Sequence, residues 1–154
     1  MLVHAQQPDD GLCELKINGR GVESLILENQ RTHEMVTLES PGESVRLPAD
    51  EYKLYSALLE GEYLLPPYST FNESSFHLRS GETFELTVGG PLQPTVTAHR
   101  TGRSVNLSYQ LLDQAGRQYT PHQEGASDTP RFKVYISKPG QPDEEIGRGT
   151  FEYG

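Results

Sequence analysis

The chain of 154 residues has no tryptophan, one cysteine and no apolar stretch long enough to cross a bilayer as a helix. A lone cysteine, Cys13, excludes an intrachain disulfide. Its neighbours Leu12, Glu14 and Leu15 have the alternation of a strand, which favours a buried structural thiol over a nucleophile. The absence of tryptophan counts against a carbohydrate-binding surface, because such surfaces commonly use the large, flat indole ring.

Negative charge is concentrated in the first part of the chain. Residues 1–90 carry 15 acidic and 6 basic residues, a net charge of −9, whereas residues 91–154 carry seven of each. Nucleic acids and anionic membranes repel a negative protein surface. We therefore predict neither nucleic-acid binding nor membrane insertion, and ordinary solvation is the simplest interpretation of the acidic surface.

The first residues are similar to the end of an export signal. Val3-His4-Ala5 fits the small-x-Ala pattern that precedes signal-peptide cleavage, and a polar Gln-Gln-Pro-Asp-Asp-Gly segment follows it. We predict a disordered lead-in over residues 1–11, with a signal-peptide remnant at residues 1–5. A secreted or periplasmic location is the corresponding expectation.

Strict alternation of apolar and polar residues marks the second part of the chain. Val105, Leu107, Tyr109 and Leu111 are apolar and the residues between them are polar. A strand with one buried and one solvated face requires this period of 2. Similar short runs, separated by Gly- and Pro-containing turns, recur along the whole chain, which predicts an all-β protein.

A glycine- and proline-rich segment, 89–94, is the best candidate for a unit boundary, and the charge balance changes across it. We predict two small antiparallel β-sandwich-like units in tandem, an acidic one over residues 12–90 and a smaller one over residues 91–154. The second unit has only about 60 residues, so we expect it to pack against the first unit or a partner.

Two local patterns make sharper predictions. Asn18-Gly19 is a strong two-residue hairpin signal and predicts that residues 13–17 pair with residues 22–27. Residues 52–59 fit a strand or a short helix, and the flanking turns and tyrosines favour the strand.

The segment 45–54, Val-Arg-Leu-Pro-Ala-Asp-Glu-Tyr-Lys-Leu, resembles the v-x-L-P-x-G-x-Y-x-l stretch of prealbumin-like and carboxypeptidase-regulatory-like sandwiches. In those modules a turn leads into a strand that carries a tyrosine, here Tyr52. Asp50 stands in place of the usual glycine, and we expect it to adopt the left-handed conformation of that turn. The resemblance implies a non-catalytic, often extracytoplasmic accessory domain over residues 12–90.

Residues 91–154 resemble an immunoglobulin-like module, although the Cys…Trp…Cys signature is absent. In that resemblance residues 105–111 form an inner strand, and the Asp113-x-x-Gly116-x-x-Tyr119 turn leads into the next strand. Both resemblances concern the fold, which does not determine the function.

No motif in the sequence names a reaction. No two of the five histidines (His4, His33, His77, His99 and His122) are close enough in sequence to form a local metal clamp, and the acidic run 143–145 lacks the spacing of a calcium loop. The G-x-S-x-G elbow and a phosphate-binding loop are also missing. We predict no catalytic residues, no metal site and no cofactor; a small hydrolase is the least favoured function.

Aromatic residues are concentrated between residues 52 and 76 at both odd and even positions, so some of the rings should be exposed. Exposed tyrosines favour recognition of proteins or sugars, while core packing is the alternative explanation. We predict a structural or protein-binding module. The sequence identifies neither its protein partner nor its oligomeric state. The alternative is a carbohydrate-binding module that uses the tyrosines around residues 52–71. The candidate binding residues are Tyr55, Tyr63, Pro67, Tyr68 and Phe71.

Overall fold

The computed structural model describes residues 11–122 and 130–151, and within them the chain forms strands and one short 3-10 helix, Pro67–Thr70. The prediction of an all-β protein is therefore confirmed, and residues 52–59 lie in a strand. The signal-peptide remnant expected at residues 1–5, like all of the lead-in except Gly11, lies outside the described residues. The strands are β1 (Leu12–Asn18), β2 (Val22–Asn29), β3 (Met35–Glu39), β4 (Ser44–Pro48), β5 (Glu51–Leu59), β6 (Tyr63–Leu65), β7 (Phe76–His77), β8 (Thr83–Thr87), β9 (Gln93–Thr101), β10 (Ser104–Leu112), β11 (Gln118–Pro121), β12 (Arg131–Ile136) and β13 (Glu144–Thr150).

The strands form one large sheet, one small sheet and a separate hairpin. The large sheet has the order β3-β2-β5-β6-β11-β10-β9, with β7 also paired to β5. The small sheet has the order β4-β1-β8, and β12 pairs with β13. Neighbouring strands are antiparallel except for β1 and β8, which are parallel.

The main core lies where the small sheet faces the large one. Alternate residues of β1 (Cys13, Leu15 and Ile17) point inward, as the period of a strand requires. Burial of Cys13 raises the pKa of its thiol, in agreement with a structural role. From the large sheet the core receives Leu25, Leu27, Tyr52, Leu54, Ala57, Leu59, Leu65 and Tyr119.

The large sheet continues across the boundary expected near residue 90. Leu64 of β6 pairs with Thr120 of β11, and Leu111 of β10 pairs with Tyr119. Tyr119 is fully buried in the main core. Residues of the predicted second unit, 91–154, therefore complete the core of the predicted first unit, 12–90, and the two share one sheet.

The hairpin predicted at Asn18-Gly19 is wrong, because β1 and β2 belong to different sheets. The chain crosses between the sheets here, and Arg20 and Gly90 exchange two backbone hydrogen bonds of 2.9 Å. Gly19 is needed for a different reason from the one expected: a Cβ atom at this position would lie 1.8 Å from the carbonyl oxygen of Val88.

The turn between β4 and β5 also differs from the expectation. Asp50 is not among the residues with a positive φ, which outside glycine are His33, Ser40 and Glu62 in the described part of the chain. The strand after the turn does carry a buried tyrosine, Tyr52, whose hydroxyl donates to the carbonyl of Pro48 at 3.2 Å.

Phe151, which follows β13, connects the β12–β13 hairpin to the apolar face of β10. Tyr109 stacks on Phe151 with ring centroids 5.3 Å apart, and Phe132 lies 4.8 Å from Phe151. Burial along β10 is graded, because Leu111 is buried whereas Val105 is 57% exposed. The one-sided burial predicted from the alternation thus holds only near Leu111, at the C-terminal end of β10.

Candidate functional site

β5 contains a bulge at Tyr55, which lies on the outer face of the large sheet. Ile26 pairs with Ser56 and Leu27 pairs with Leu54, so that Tyr55 has no opposite residue on β2. The bulge moves the inward-facing positions from Tyr52 and Leu54 before it to Ala57 and Leu59 after it, without ending the strand. Tyr55 is exposed, as the alternation with buried Leu54 requires, and Ser56 is also buried.

The loop that contains the 3-10 helix is fastened to the outer face of β5 at three points. The hydroxyl oxygen of Thr70, which is buried, lies 2.9 Å from the carbonyl oxygen of Tyr55 and 2.9 Å from that of Pro67. Lys53 donates from Nζ to the carbonyl of Phe71 at 2.8 Å. The Ser75 hydroxyl donates to the Glu51 carboxylate.

Two aromatic side chains of this loop face the solvent. Tyr68 is 71% exposed and Phe71 is 77% exposed. The ammonium group of Lys53 lies 5.7 Å from the centroid of the Phe71 ring, a cation–π distance. We refer to Lys53, Tyr55, Tyr68 and Phe71 as the aromatic patch.

The structure brings together four of the five candidate residues predicted from the sequence. Tyr55, Pro67, Tyr68 and Phe71 are exposed at or beside the 3-10 helix. Tyr63 lies elsewhere, on β6, where it is half-buried against the main core and pairs with Leu59.

Sequence reasoning missed Lys53 and Thr70. Lys53 could have been found, because it is two residues before Tyr55 and strand side chains of that spacing share a face. Thr70 carries no such signal, since its partners are backbone carbonyls whose positions depend on the fold.

A polar cluster, separate from the aromatic patch, connects the β2–β3 turn to the start of β5. Asp50 accepts a hydrogen bond of 3.0 Å from the Asn29 amide and forms an ion pair of 2.6 Å with Arg31. The hydrogen bonds from Arg31 and Asn29 hold the pKa of the Asp50 carboxyl far below its ordinary value of 3.8. Its carboxylate is engaged in holding the turns together, so this cluster is structural.

The acid sensitivity of folding tests this cluster. The pKa of Asp50 is lower in the folded than in the unfolded chain, so its contribution to stability is present above pH 3.8 and is lost as the pH falls through the folded-state value. We expect the stability of the wild type to fall more steeply than that of Asp50→Asn when the pH drops below about 4. Urea unfolding at a series of pH values measures this difference, and parallel curves for the two proteins would contradict it.

Another polar cluster joins the β10–β11 turn to the body of the protein. Asp113, whose side chain is fully buried, accepts hydrogen bonds from the backbone N–H groups of Ala115 and Arg117, both at 2.9 Å. The Arg117 guanidinium contacts the carboxylates of Asp113 and Glu73 and the carbonyl of Thr87. We refer to Glu73, Asp113, Arg117 and Tyr119 as the arginine cluster.

Tyr119 extends the arginine cluster to the glycine-rich segment 89–94. Its hydroxyl accepts from the N–H of Gly89 at 3.2 Å and donates to the Asp113 carboxylate at 3.4 Å. Burial is the main cause that raises the pKa of this hydroxyl, so it stays protonated as a donor. The cluster is satisfied internally, which indicates a structural role.

Two properties of the described residues bear on the kind of site. No three His, Cys, Asp or Glu side chains there come together in a way that could hold a metal ion. Within the same ranges, no helix is long and apolar enough to cross a membrane.

No family model matches the chain, and no curated protein matches it. A solved structure with some similarity is a leucine-rich repeat protein from Bacteroides thetaiotaomicron, at 11% sequence identity and a TM-score of 0.33. The alignment covers 92% of this chain and 24% of the other, so this chain spans about a quarter of that protein's length.

Proposed function

We propose that this protein is a non-catalytic β module that binds a protein partner through the aromatic patch. The observation that carries the proposal is the exposure of Tyr68 and Phe71, 71% and 77%, on a loop that Thr70 and Lys53 fasten to β5. Large aromatic side chains of this kind are enriched among the residues that dominate the energy of protein interfaces.

The fastening of the loop favours binding. A loop that is already held in one conformation loses little further conformational entropy when a partner docks. Tyr and Phe each have only two side-chain torsions to fix, and each offers a large apolar area for burial. The Lys53 ammonium adds a positive charge beside the Phe71 ring, within the part of the chain, residues 1–90, whose net charge is −9. A partner with an apolar centre and an acidic group at the rim fits this arrangement.

Photo-crosslinking in the cells that make the protein tests the proposal. A benzoylphenylalanine in place of Phe71 should yield one discrete protein adduct. The matched control replaces Tyr135, which is also exposed but lies on β12. If position 71 gives no adduct beyond those seen at position 135, the aromatic patch is not a protein-binding site.

Carbohydrate binding is the second candidate, favoured by the exposed ring of Tyr68. A glycan array of the purified wild type distinguishes the two functions. We expect no saturable binding, and a glycan whose binding is lost in Tyr68→Ser would replace the proposed function. Turnover of an esterase, glycosidase or peptidase substrate that one substitution abolishes would overturn the non-catalytic assignment.

We also propose that the module acts outside the cytoplasm, as a secreted or periplasmic protein. The support is the Val3-His4-Ala5 sequence. Fractionation of the native cells, followed by sequencing of the mature N-terminus, tests this. Cleavage after Ala5 is the expected result, and an uncleaved cytoplasmic protein is the contrary one.

A further inference from the structure

A second surface, remote in sequence from the aromatic patch, is the outer edge of β9. β9 is the last strand of the large sheet, and no described strand pairs with its outer side. It has nine residues, whereas the edge strands β3, β4 and β8 have five each. Long exposed edges are open to pairing with another chain, and proteins usually protect them.

The β9–β10 turn determines which backbone groups face outward. The turn consists of Gly102 and Arg103, of which only Gly102 has a positive φ, 61°, as a type II′ turn requires. Such a turn closes on a hydrogen-bonded pair, here Thr101 and Ser104, and bonded and non-bonded pairs then alternate along the ladder. Residues 95, 97 and 99 therefore bond to β10, and the N–H and C=O groups of Val96, Ala98 and Arg100 point outward.

The side chains of the same residues lie on the apolar face of the sheet. Val96 stands opposite Tyr109 and Ala98 opposite Leu107, and opposite residues share a face. Val96 is 54% exposed, so this face is only partly covered.

The β12–β13 hairpin leaves a groove next to this face. The groove has a volume of about 720 Å³ and is lined on one side by β10 and on the other by Phe132, Val134 and Phe151. Gly149 has no Cβ atom to displace the Phe132 ring, which lies over it. A strand added to β9 would place alternate side chains on the same face of the sheet, beside Val96 and Ala98.

The charge of the β9–β10 hairpin indicates the chemistry of the added strand. Residues 92–112 contain Arg100 and Arg103 and no acidic residue, although the chain as a whole has a net charge of −9. Arg100 donates from Nε to the carbonyl of Gly102 at 3.1 Å, which keeps its charge at the tip of the hairpin. An acidic segment is therefore attracted to this tip.

We propose that β9 takes up an extended segment of a partner protein as an additional strand. The segment alternates apolar and polar residues, with the apolar ones beside Val96 and Ala98, and carries acidic residues at the end that lies beside Arg100 and Arg103. Backbone hydrogen bonds to Val96 and Ala98 supply affinity, and the apolar face of the sheet and the charged tip supply selectivity. This interaction is separate from the aromatic patch and does not depend on it.

A library of random ten-residue peptides displayed on phage tests the proposal with the full-length protein. We expect enriched peptides that alternate apolar and polar residues and end in acidic ones. Ala98→Pro removes one outward N–H without touching the β10 ladder, and it should weaken the binding of the enriched peptides at least tenfold. Ala98→Ser, which keeps that N–H, is the matched control and should bind as the wild type does. Arg100→Glu/Arg103→Glu should also weaken binding at least tenfold.

Hydrogen exchange of the wild type keeps the test independent of how Ala98→Pro folds. The amides of Val96, Ala98 and Arg100 should exchange rapidly in the free protein and become protected when a synthetic copy of an enriched peptide is added. Three results would overturn the proposal. The phage library could yield no peptides enriched over those selected on an unrelated β protein, or the enriched peptides could lose binding in Tyr68→Ser/Phe71→Ser and not in Ala98→Pro. The third result is protection of these amides without peptide, in a self-associated protein.

Discussion

We expect Arg117→Met to lower the free energy of unfolding by about 3–5 kcal/mol. The substitution keeps an apolar chain of similar length but removes the cation that lies between the carboxylates of Glu73 and Asp113. Asp113 is fully buried, so its charge cannot recover hydration when its partner is lost. Urea unfolding near neutral pH measures the effect, which corresponds to a decrease in melting temperature of about 10 °C.

Arg148→Met is the matched control, because Arg148 also forms an ion pair, with Glu145 at 2.6 Å, but is largely exposed. Exposed pairs contribute little, so we expect a change below about 1 kcal/mol. Equal effects of the two substitutions would show that the arginine cluster does not hold the β10–β11 turn to the body of the protein.

We expect Gly19→Ala to destabilise the fold by about 3 kcal/mol or more. The new Cβ atom would lie 1.8 Å from the carbonyl oxygen of Val88 and 2.7 Å from its carbonyl carbon. These are backbone atoms of the chain that leads to Gly90, which is itself hydrogen-bonded to Arg20. Relief of the clash therefore requires a shift of the crossing between the two sheets, and thermal unfolding should show it directly.

Two other glycines provide a graded comparison. A Cβ atom on Gly149 would lie 2.8 Å from the Phe132 ring, which can rotate, so Gly149→Ala should cost about 1 kcal/mol. A Cβ atom on Gly147 meets nothing within 4 Å, so Gly147→Ala should change stability by less than about 0.5 kcal/mol. The same loss of stability at all three positions would contradict the close approach of residues 19 and 88.

The elements of the fold could be predicted from the sequence because their signal is local. Alternation of inward and outward side chains identifies a strand such as β1 wherever one face is buried, and the tyrosines with the flanking turns distinguished β5 from a helix. The partners of each strand could not be predicted in this way. Asn18-Gly19 has the composition of a hairpin turn, yet the chain there passes to the other sheet, where Gly19 lies against the carbonyl group of Val88.

The contacts across residue 90 were also beyond local reasoning. The change of composition at residues 89–94 is real, but it does not reveal that Tyr119 fills a place in the main core or that Arg117 reaches Glu73, 44 residues away in sequence. Such contacts depend on the topology that brings β11 beside β6.

The candidate site could be predicted only in part, because it too depends on contacts between residues that are distant in sequence. A high density of aromatic residues indicated exposed rings, and Tyr55, Tyr68 and Phe71 are exposed. The sequence could not separate them from Tyr63, whose ring is half-buried because β6 lies inside the large sheet. It also did not indicate the bulge at Tyr55, since that depends on the register with β2.

The most direct test of the aromatic patch is the dissociation constant of the partner identified by crosslinking at position 71. Calorimetric titration should give an affinity for Tyr68→Ser/Phe71→Ser that is weaker than that of the wild type by about 100-fold or more, because two exposed anchors are removed. The stability of this variant should be unchanged within about 0.5 kcal/mol, and Tyr135→Ser should bind as the wild type does. An affinity of the double variant within twofold of the wild type would contradict the proposal that this patch binds the partner.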